Sequence, residues 1–218
     1  MQPTILENYH RVLNIINKFQ HKVTLIVVSK SFSINHIQPL LDAGHVHFGE
    51  NRVQESVQKW TPLLNIKKNL KIHLLGKLQT NKVVETIHLF SYVHSLDSEK
   101  LALKISKEQK NFNKNLNYFV QINLGEETQK SGISKQDVIG FINFCTKELN
   151  LNVIGLMCLP PISEDPKIHF QNLKKIAHEL NLSNLSMGMS GDFEEALRYG
   201  SNFLRIGSLI LGERKIIS

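Results

Sequence analysis

Several features are missing from this sequence, and each absence removes a class of protein from consideration. Its 218 residues include only two cysteines, Cys145 and Cys158, whose spacing fits neither a metal site nor a disulfide framework. No apolar run approaches the roughly 20 residues that span a bilayer, and the first residues lack the pattern of a secretory signal. We therefore expect a cytoplasmic protein with buried, reduced thiols, no metal ion and no membrane partner.

The chain also lacks any internal linker. No stretch rich in proline, glycine or serine divides it, and its hydrophobic content of 41% is ordinary for a globular protein. We expect a single domain over residues 1–218, with enough length to bury a substantial core.

Basic residues outnumber acidic ones, which gives a formal charge of +7 and a pI near 9.4. Such a charge permits nucleic-acid binding without demonstrating it. The densest lysine groups, at 67–68 and 107–114, lack the interleaving of arginine and aromatic residues that marks a nucleic-acid surface. We therefore favour a solvated basic face and expect no nucleic-acid partner.

What the sequence does contain is a regular alternation of strand-like and helix-like segments. Eight strands are predicted, at residues 24–29, 46–49, 72–75, 92–95, 118–123, 153–158, 185–187 and 203–206. Eight βα units are the number that closes a parallel sheet, so the pattern predicts an α/β protein with a (β/α)8 TIM barrel. A doubly wound open sheet is the alternative, although it usually has fewer strands, and the glycine fingerprint of a dinucleotide site is missing.

Helices are predicted between these strands, after an additional helix at the amino terminus near residues 4–19. Ser33 is expected to cap the first connecting helix, which ends at Gly44, and Thr80 is expected to cap a later one. A capping box over residues 134–137 is expected to open another helix, after a loop at 125–132. The remaining helices are predicted near residues 51–60, 98–109, 167–180 and 193–199.

Lys30 ends the most apolar short run of the chain, which begins at Val23 and is typical of a buried strand. Apolar surroundings disfavour the ammonium form and lower the pKa of a lysine. A neutral amine can attack an aldehyde and form a Schiff base. A lone lysine at a strand end more often extends to solvent, so this interpretation depends on what else meets Lys30 at the carboxyl end of the barrel.

Two turns that contain glycine and serine follow the last two predicted strands, within residues 185–192 and 203–208. Barrels commonly hold phosphate at these two positions. The residues expected to contribute hydroxyl groups or close backbone approach are Ser190, Gly188 and Gly191 from the seventh loop, and Gly207 and Ser208 from the eighth. Plain helix capping is the alternative interpretation of Ser190 and Asp192. An aldehyde that carries a phosphate is pyridoxal phosphate, which we therefore predict as the cofactor.

Arg205 lies inside the apolar strand at 203–206, where a guanidinium needs a partner. That partner is either an internal carboxylate or a ring nitrogen of the ligand. In the second case arginine keeps its own proton, so the pyridine nitrogen stays unprotonated and the ring is a weak electron sink. Chemistry through a carbanion would then be poorly supported.

Together these residues resemble the family of pyridoxal phosphate homeostasis proteins, which are single-domain relatives of the barrel domain of alanine racemase. The resemblance is carried by segments at 28–30, 47–55, 72–82, 94–97, 120–124, 130–132, 155–157, 185–190, 200–201 and 204–208. It therefore covers the chain nearly from end to end. Three positions depart from the usual pattern, since Ile72, Lys77 and Ser208 stand where the family often has tryptophan, histidine and threonine.

The resemblance implies that Lys30 carries pyridoxal phosphate as a Schiff base. The other residues that it implicates are Ser190, Gly207 and Ser208 for the phosphate, Arg205 for the pyridine nitrogen, and Asn51 and Met157 for the ring. The family binds and manages this cofactor in vitamin B6 homeostasis without established turnover. We therefore expect an intracellular carrier or buffer, with apo forms of pyridoxal-phosphate enzymes as recipients.

An amino-acid racemase that depends on the same cofactor is the alternative function. Such an enzyme needs an acid–base group on each face of the cofactor, and in the racemase relatives one is a tyrosine from a second domain. This sequence ends after the eighth unit, and its tyrosines, at 9, 92, 118 and 199, fall at no evident strand end that faces Lys30. We expect a monomer with no catalytic residue. A nucleic-acid-binding scaffold would leave the serine and glycine turns unexplained.

Overall fold

Eight parallel strands close into a barrel in chain order. The computed structural model describes residues 3–125 and 131–213. The strands are β1 Thr24–Val28, β2 His47–Glu50, β3 Lys71–Leu74, β4 Tyr92–Leu96, β5 Asn117–Gln121, β6 Val153–Met157, β7 Asn184–Ser186 and β8 Phe203–Ile206. Pairing of β1 with β8, which places Ile26 beside Arg205, closes the sheet. The barrel prediction is confirmed, and the open-sheet alternative is wrong.

Helices connect the strands and form an outer layer. They are α1 Ile5–Ile16, α2 Ile34–Asp42, α3 Val53–Ile66, α4 Val83–Leu89, α5 Glu99–Phe112, α6 Val138–Asn143, α7 Pro166–Glu179, α8 Phe193–Arg198 and α9 Ser208–Leu211. The first is the additional amino-terminal helix that the sequence predicts. Ser134 and Asp137 hydrogen-bond each other as expected, in the turn before α6. Of the predicted loop at 125–132, residues 126–130 lie outside the described residues.

Local sequence signals explain where several helices begin and end. Thr4 accepts a hydrogen bond from the backbone N–H of Glu7, whose carboxylate accepts the N–H of Thr4 in return. Ser33 caps α2, and Gly44, with a φ of 81°, follows its end as predicted. The prediction for Thr80 is wrong, because the chain makes a short 3-10 turn there and α4 begins only after it, with no side-chain cap.

Two apolar layers hold the barrel together. The larger lies between sheet and helices and includes the fully buried Trp60 and Ile72. The smaller lies inside the barrel and consists of Ile26, Phe119, Met157 and Phe203. Burying each side chain of this size stabilises the fold by about 1.5–3 kcal/mol.

Membrane-spanning helices and metal-binding clusters are both absent from the described residues. Within residues 3–125 and 131–213, no helix is both long and apolar enough to cross a membrane, and no cluster of three His, Cys, Asp or Glu residues is placed to hold a metal ion. Cys145 and Cys158 are buried free thiols, as predicted. Burial raises the pKa of each thiol to about 12, so neither is a reactive thiolate near neutral pH.

Candidate functional site

The loops at the carboxyl ends of the strands surround a cavity of about 560 Å³. Six residues of the predicted site lie in its wall, namely Lys30, Asn51, Ser190, Arg205, Gly207 and Ser208. Much of the remaining wall is apolar and comes from Val28, Phe32, Leu75, Leu159, Pro160, Ile162 and Met189. A cavity that combines apolar surface with a few converging polar groups is typical of a small-molecule site.

Lys30 follows β1 after one intervening residue and is half-buried. The next residue, Ser31, has a φ of 68°. A residue with a side chain adopts this left-handed conformation at a cost of about 1–3 kcal/mol, and such strain is concentrated at functional sites. The tight turn at Ser31 ends the extended backbone of β1 and leaves the Lys30 side chain in the cavity wall.

A buried carboxylate anchors the backbone just before Lys30. Glu50, at the end of β2, accepts hydrogen bonds from Ser29 Oγ at 2.7 Å and from Trp60 Nε1 at 3.0 Å. Lys59 Nζ lies 2.8 Å from both the Glu50 carboxylate and the carbonyl oxygen of Ser29. Burial lowers the pKa of Lys59, and the Glu50 carboxylate opposes that shift. The ion pair joins β1, β2 and α3, and it thereby fixes where Lys30 leaves the sheet.

The loops after β7 and β8 meet through one hydroxyl group. Ser190 Oγ accepts the backbone N–H groups of Gly207 and Leu209, each at 3.3 Å. Asp192 accepts the backbone N–H of Met189 at 2.6 Å and does not cap α8. The interpretation of Ser190 and Asp192 as plain caps of α8 is therefore wrong, because Ser190 binds the start of α9 instead and joins the two loops.

The two glycines of the seventh loop have different roles. Gly188 has a φ of 91°, and a Cβ there would overlap Ala196 on α8 and Leu204 on β8. Gly191 lies in the cavity wall, and a Cβ there would meet nothing within 4 Å. The missing side chain of Gly188 serves packing, and the expectation that this glycine allows approach to a ligand stays a prediction.

Arg205 is only 4% exposed, yet it lies in the cavity wall. Its guanidinium donates to Ser186 Oγ at 2.7 Å and to the carbonyl oxygen of Cys158 at 2.9 Å. Burial lowers the pKa of Arg205, although interaction with Cys158 and Asp192 opposes the shift. Within the described part of the chain its hydrogen-bond partners are neutral oxygens, so the internal salt bridge is not found. A buried cation instead borders the cavity.

Asn51 and Met157 are the residues predicted to line a bound ring. Asn51 borders both the cavity and a neighbouring groove of about 670 Å³. Its position depends on Gly76, because a Cβ there would overlap the carbonyl oxygen of Asn51. Met157 is 1% exposed and lies outside the cavity wall, in the barrel interior with Ile26, Phe119 and Phe203. Its contact with a ligand stays a prediction.

The departures from the family pattern lie in three different places. Ile72 is buried in the outer apolar layer and does not reach the cavity. Lys77 borders the neighbouring groove, and Ser208 lies in the cavity wall with its hydroxyl retained. The four tyrosines, all within the described residues, lie outside the cavity wall.

Two residues beside the site have no role in the sequence prediction. A carboxylate at the end of an apolar strand is unusual unless it is paired, and that signal could have identified Glu50. Nothing local marks Ser186, because its side-chain partners are Arg205, 19 residues away, and His94, 92 residues away.

Comparison with known proteins agrees with the barrel fold and identifies the family of the chain. The family model of the alanine racemase N-terminal domain matches residues 4–215. The pyridoxal phosphate homeostasis protein of Aquifex aeolicus is 33% identical over 220 residues, which cover 97% of this chain and 96% of the relative. The protein of the same name from Helicobacter pylori strain J99 is 39% identical over 201 residues, with coverages of 88% and 89%.

Solved structures give the same result. PipY of Synechococcus elongatus PCC7942, solved with PLP bound, is 29% identical with a TM-score of 0.85, and the match covers 94% of this chain and 100% of PipY. Alanine racemase from Corynebacterium glutamicum is 15% identical with a TM-score of 0.67, and the match covers 98% of this chain and 62% of the racemase, which shows a shared fold alone. The chain therefore belongs to the alanine racemase N-terminal domain family and, within it, to the pyridoxal phosphate homeostasis proteins.

Proposed function

We propose that this protein binds pyridoxal phosphate and acts in its homeostasis, as a carrier or buffer that holds the cofactor covalently at Lys30. The observation that supports this most is the meeting of an amine, a buried guanidinium and a cluster of loop donors in one cavity wall. Relatives named for this role match nearly the whole chain, and the similar PipY was solved with the cofactor bound.

The residues of the cavity wall fit this cofactor. Arg205 is a buried cation whose hydrogen-bond partners in the described structure are neutral, and a buried charge that makes no direct ion pair favours an anionic ligand. The Ser190 hydroxyl and the N–H groups of Gly207 and Leu209 are donors of the kind that a phosphate accepts. Apolar wall residues such as Leu75 suit an aromatic ring.

When bound, pyridoxal phosphate supplies an aldehyde that condenses with a primary amine and releases water. Lys30 provides that amine, and the Glu50 anchor with the turn at Ser31 keeps its backbone in place. The residues proposed for the rest of the cofactor are Ser190, Gly207 and Ser208 for the phosphate, Arg205 for the ring nitrogen, and Asn51 and Met157 for the ring.

We propose further that the protein does not use the cofactor for turnover. An arginine beside the ring nitrogen keeps its own proton, so it does not strengthen the ring as an electron sink. A racemase needs a second acid–base group, and the tyrosines of the described chain lie outside the cavity wall. The relatives from Aquifex aeolicus and Synechocystis are named as pyridoxal phosphate homeostasis proteins and not as racemases.

The proposed setting is the cytoplasm, where the protein acts as a monomer and passes its cofactor to apo forms of pyridoxal-phosphate enzymes. Light scattering after size-exclusion chromatography should give a mass near 24.9 kDa. A mass of twice that value would contradict the monomer without affecting the cofactor proposal.

Titration with pyridoxal phosphate, followed by visible absorption, tests the attachment. The wild-type protein should gain a visible band, and Lys30→Ala should not. Lys77→Ala is a matched control, because this lysine also follows a strand but borders the neighbouring groove. Borohydride reduction followed by peptide mass spectrometry should place the adduct on Lys30. An adduct at another residue, or none at all, would overturn the proposal.

Two further measurements address phosphate binding and turnover. Ser190→Ala should raise the Kd for pyridoxal phosphate at least about tenfold, because it removes a hydrogen bond to a charged group worth about 1.5–3 kcal/mol. The loaded wild-type protein, incubated with single L-amino acids, should give neither D-isomers nor solvent hydrogen at Cα. Formation of D-isomers would favour the racemase over the carrier.

A further inference from the structure

A line of hydrogen bonds crosses the barrel interior and ends on Arg205. His47 Nδ1 lies 3.0 Å from His73 Nε2, and His73 Nδ1 lies 3.0 Å from His94 Nε2. His94 Nδ1 lies 2.8 Å from Ser186 Oγ, which accepts an N–H of Arg205 at 2.7 Å. We call His47, His73, His94 and Ser186 the histidine chain.

Most of the histidine chain is shielded from water. His73, His94 and Ser186 have no exposed surface. Aromatic rings hold both imidazoles in place, since His73 stacks on Tyr92 with 4.2 Å between ring centroids and His94 stacks on Phe119 with 4.4 Å. Apolar side chains would fill a barrel interior without the free-energy cost of burying polar groups. Because every member of the histidine chain is hydrogen-bonded to the next, these residues point to a role beyond packing.

Arg205 sets the direction of the hydrogen bonds, because arginine only donates. Ser186 accepts from it, so the hydroxyl proton is available for His94 Nδ1. His94 then carries its proton on Nε2 and donates to His73, which donates in the same way to His47. The opposite direction would give Ser186 two donors and leave its own proton without an acceptor in the described structure.

The two ends of the histidine chain have different surroundings. His47 begins β2 and is half-buried, near Lys71 at the start of β3. Arg205, at the other end, lies in the cavity wall. Burial is the main cause that lowers the pKa values of His47, His73 and His94, and the Arg205 charge adds to it for His94. The imidazoles are therefore neutral near pH 7, as a one-way line of donors requires.

We propose that His73, His94 and Ser186 are positioning residues that orient Arg205 in the cavity wall. Ser186 accepts one guanidinium N–H because His94 keeps the hydroxyl proton turned away from the arginine. The carbonyl oxygen of Cys158 accepts a second N–H, so the plane of the guanidinium is fixed at two points. This inference rests on the proposed function, in which Arg205 meets the ring nitrogen of pyridoxal phosphate.

Nitrogen-15 NMR of the wild-type protein without cofactor tests the direction of the bonds and needs no variant. At pH 7 the imidazoles of His73 and His94 should both be Nε2–H tautomers. An Nδ1–H tautomer or a charged imidazolium at either residue would overturn the inference, because Ser186 would no longer be held as an acceptor for Arg205.

Ser186→Ala and His94→Phe test the positioning itself. Each should raise the Kd for pyridoxal phosphate about tenfold, comparable to the loss of one hydrogen bond. Each should also shift the visible band of the loaded protein, because the donor beside the ring nitrogen is no longer fixed. His169→Phe is the matched control, since His169 is a buried histidine on α7, away from the cavity wall.

The outcomes separate this inference from the function on which it rests. Unchanged affinity and an unchanged band in a folded Ser186→Ala protein would reject the positioning role, while the adduct on Lys30 would still support the carrier. A wild-type protein that binds no pyridoxal phosphate would instead reject the proposed function. If both variants fail to fold, the tautomers of His73 and His94 in the wild-type protein decide whether the positioning role is accepted or rejected.

Discussion

Mild acid should destabilise this protein because its barrel holds histidines in the neutral form. Burial lowers the pKa of His45 to about 4. Burial is also the largest cause that holds the pKa values of His73 and His94 well below their usual range, with charge from His94 acting on His73 and charge from Arg205 acting on His94. In the unfolded chain each imidazole returns to a pKa near about 6.5.

The sign and size of the effect follow from proton linkage. Below about pH 6.5 the unfolded state binds protons that the folded state does not. The contribution of these histidines to stability is therefore complete above this pH, and the free energy of unfolding falls as the pH is lowered. For His45 the loss between pH 7 and pH 5 is about 2 kcal/mol, and it continues towards pH 4. His73 and His94 act in the same direction, so the total loss exceeds that from His45 alone, against a usual domain stability of about 5–15 kcal/mol.

Urea denaturation at pH 7, 6 and 5 measures this loss. Trp60 is the single tryptophan and is fully buried, so its fluorescence reports unfolding. His10→Gln is the control substitution, because His10 is an exposed histidine on α1. A total loss below about 1 kcal/mol, less than one buried histidine should give, would refute the claim that these side chains are held neutral.

Two further substitutions test the supports of the site by urea denaturation. Glu50→Ala should lower the free energy of unfolding by about 3–5 kcal/mol, because it leaves Lys59 buried without its partner; a loss under about 1 kcal/mol would mean that water reaches the pair. Gly76→Ala should cost about 1–3 kcal/mol, because the new Cβ overlaps the carbonyl oxygen of Asn51. Gly140→Ala is its matched control in α6, where a Cβ meets nothing within 4 Å, and it should stabilise by up to about 1 kcal/mol. Equal effects of the two glycine substitutions would contradict the packing argument.

The sequence was sufficient for the barrel and for the groups that follow its strands. In a parallel barrel all strands end on the same side, so Lys30, Ser190 and Ser208 can be placed together from strand ends alone. Arg205 could be predicted as a buried cation because it interrupts an apolar strand, although its partner could not. Whether Arg205 pairs with a carboxylate or a hydroxyl depends on residues that are distant in sequence and approach it only when the sheet closes.

Contacts across the barrel were beyond the reach of the sequence. His94 and Ser186 are 92 residues apart, and no local pattern records that β4 and β7 turn these side chains towards each other. Thr80 shows that a local signal can also mislead. Threonine is a good capping residue, but the chain forms a 3-10 turn at this position. Met157 lies at a strand end as predicted, but in the barrel interior.

The hydroxyl that joins the seventh and eighth loops bears on how readily a ligand leaves. The N–H groups of Gly207 and Leu209 already have an acceptor inside the chain, in Ser190. In the proposed complex an incoming phosphate would exchange that acceptor for its own oxygens, and a departing phosphate would return the two amides to the serine. Because each amide would then regain an acceptor within the chain, release of the phosphate would leave no backbone donor unpaired, which fits the proposed carrier function.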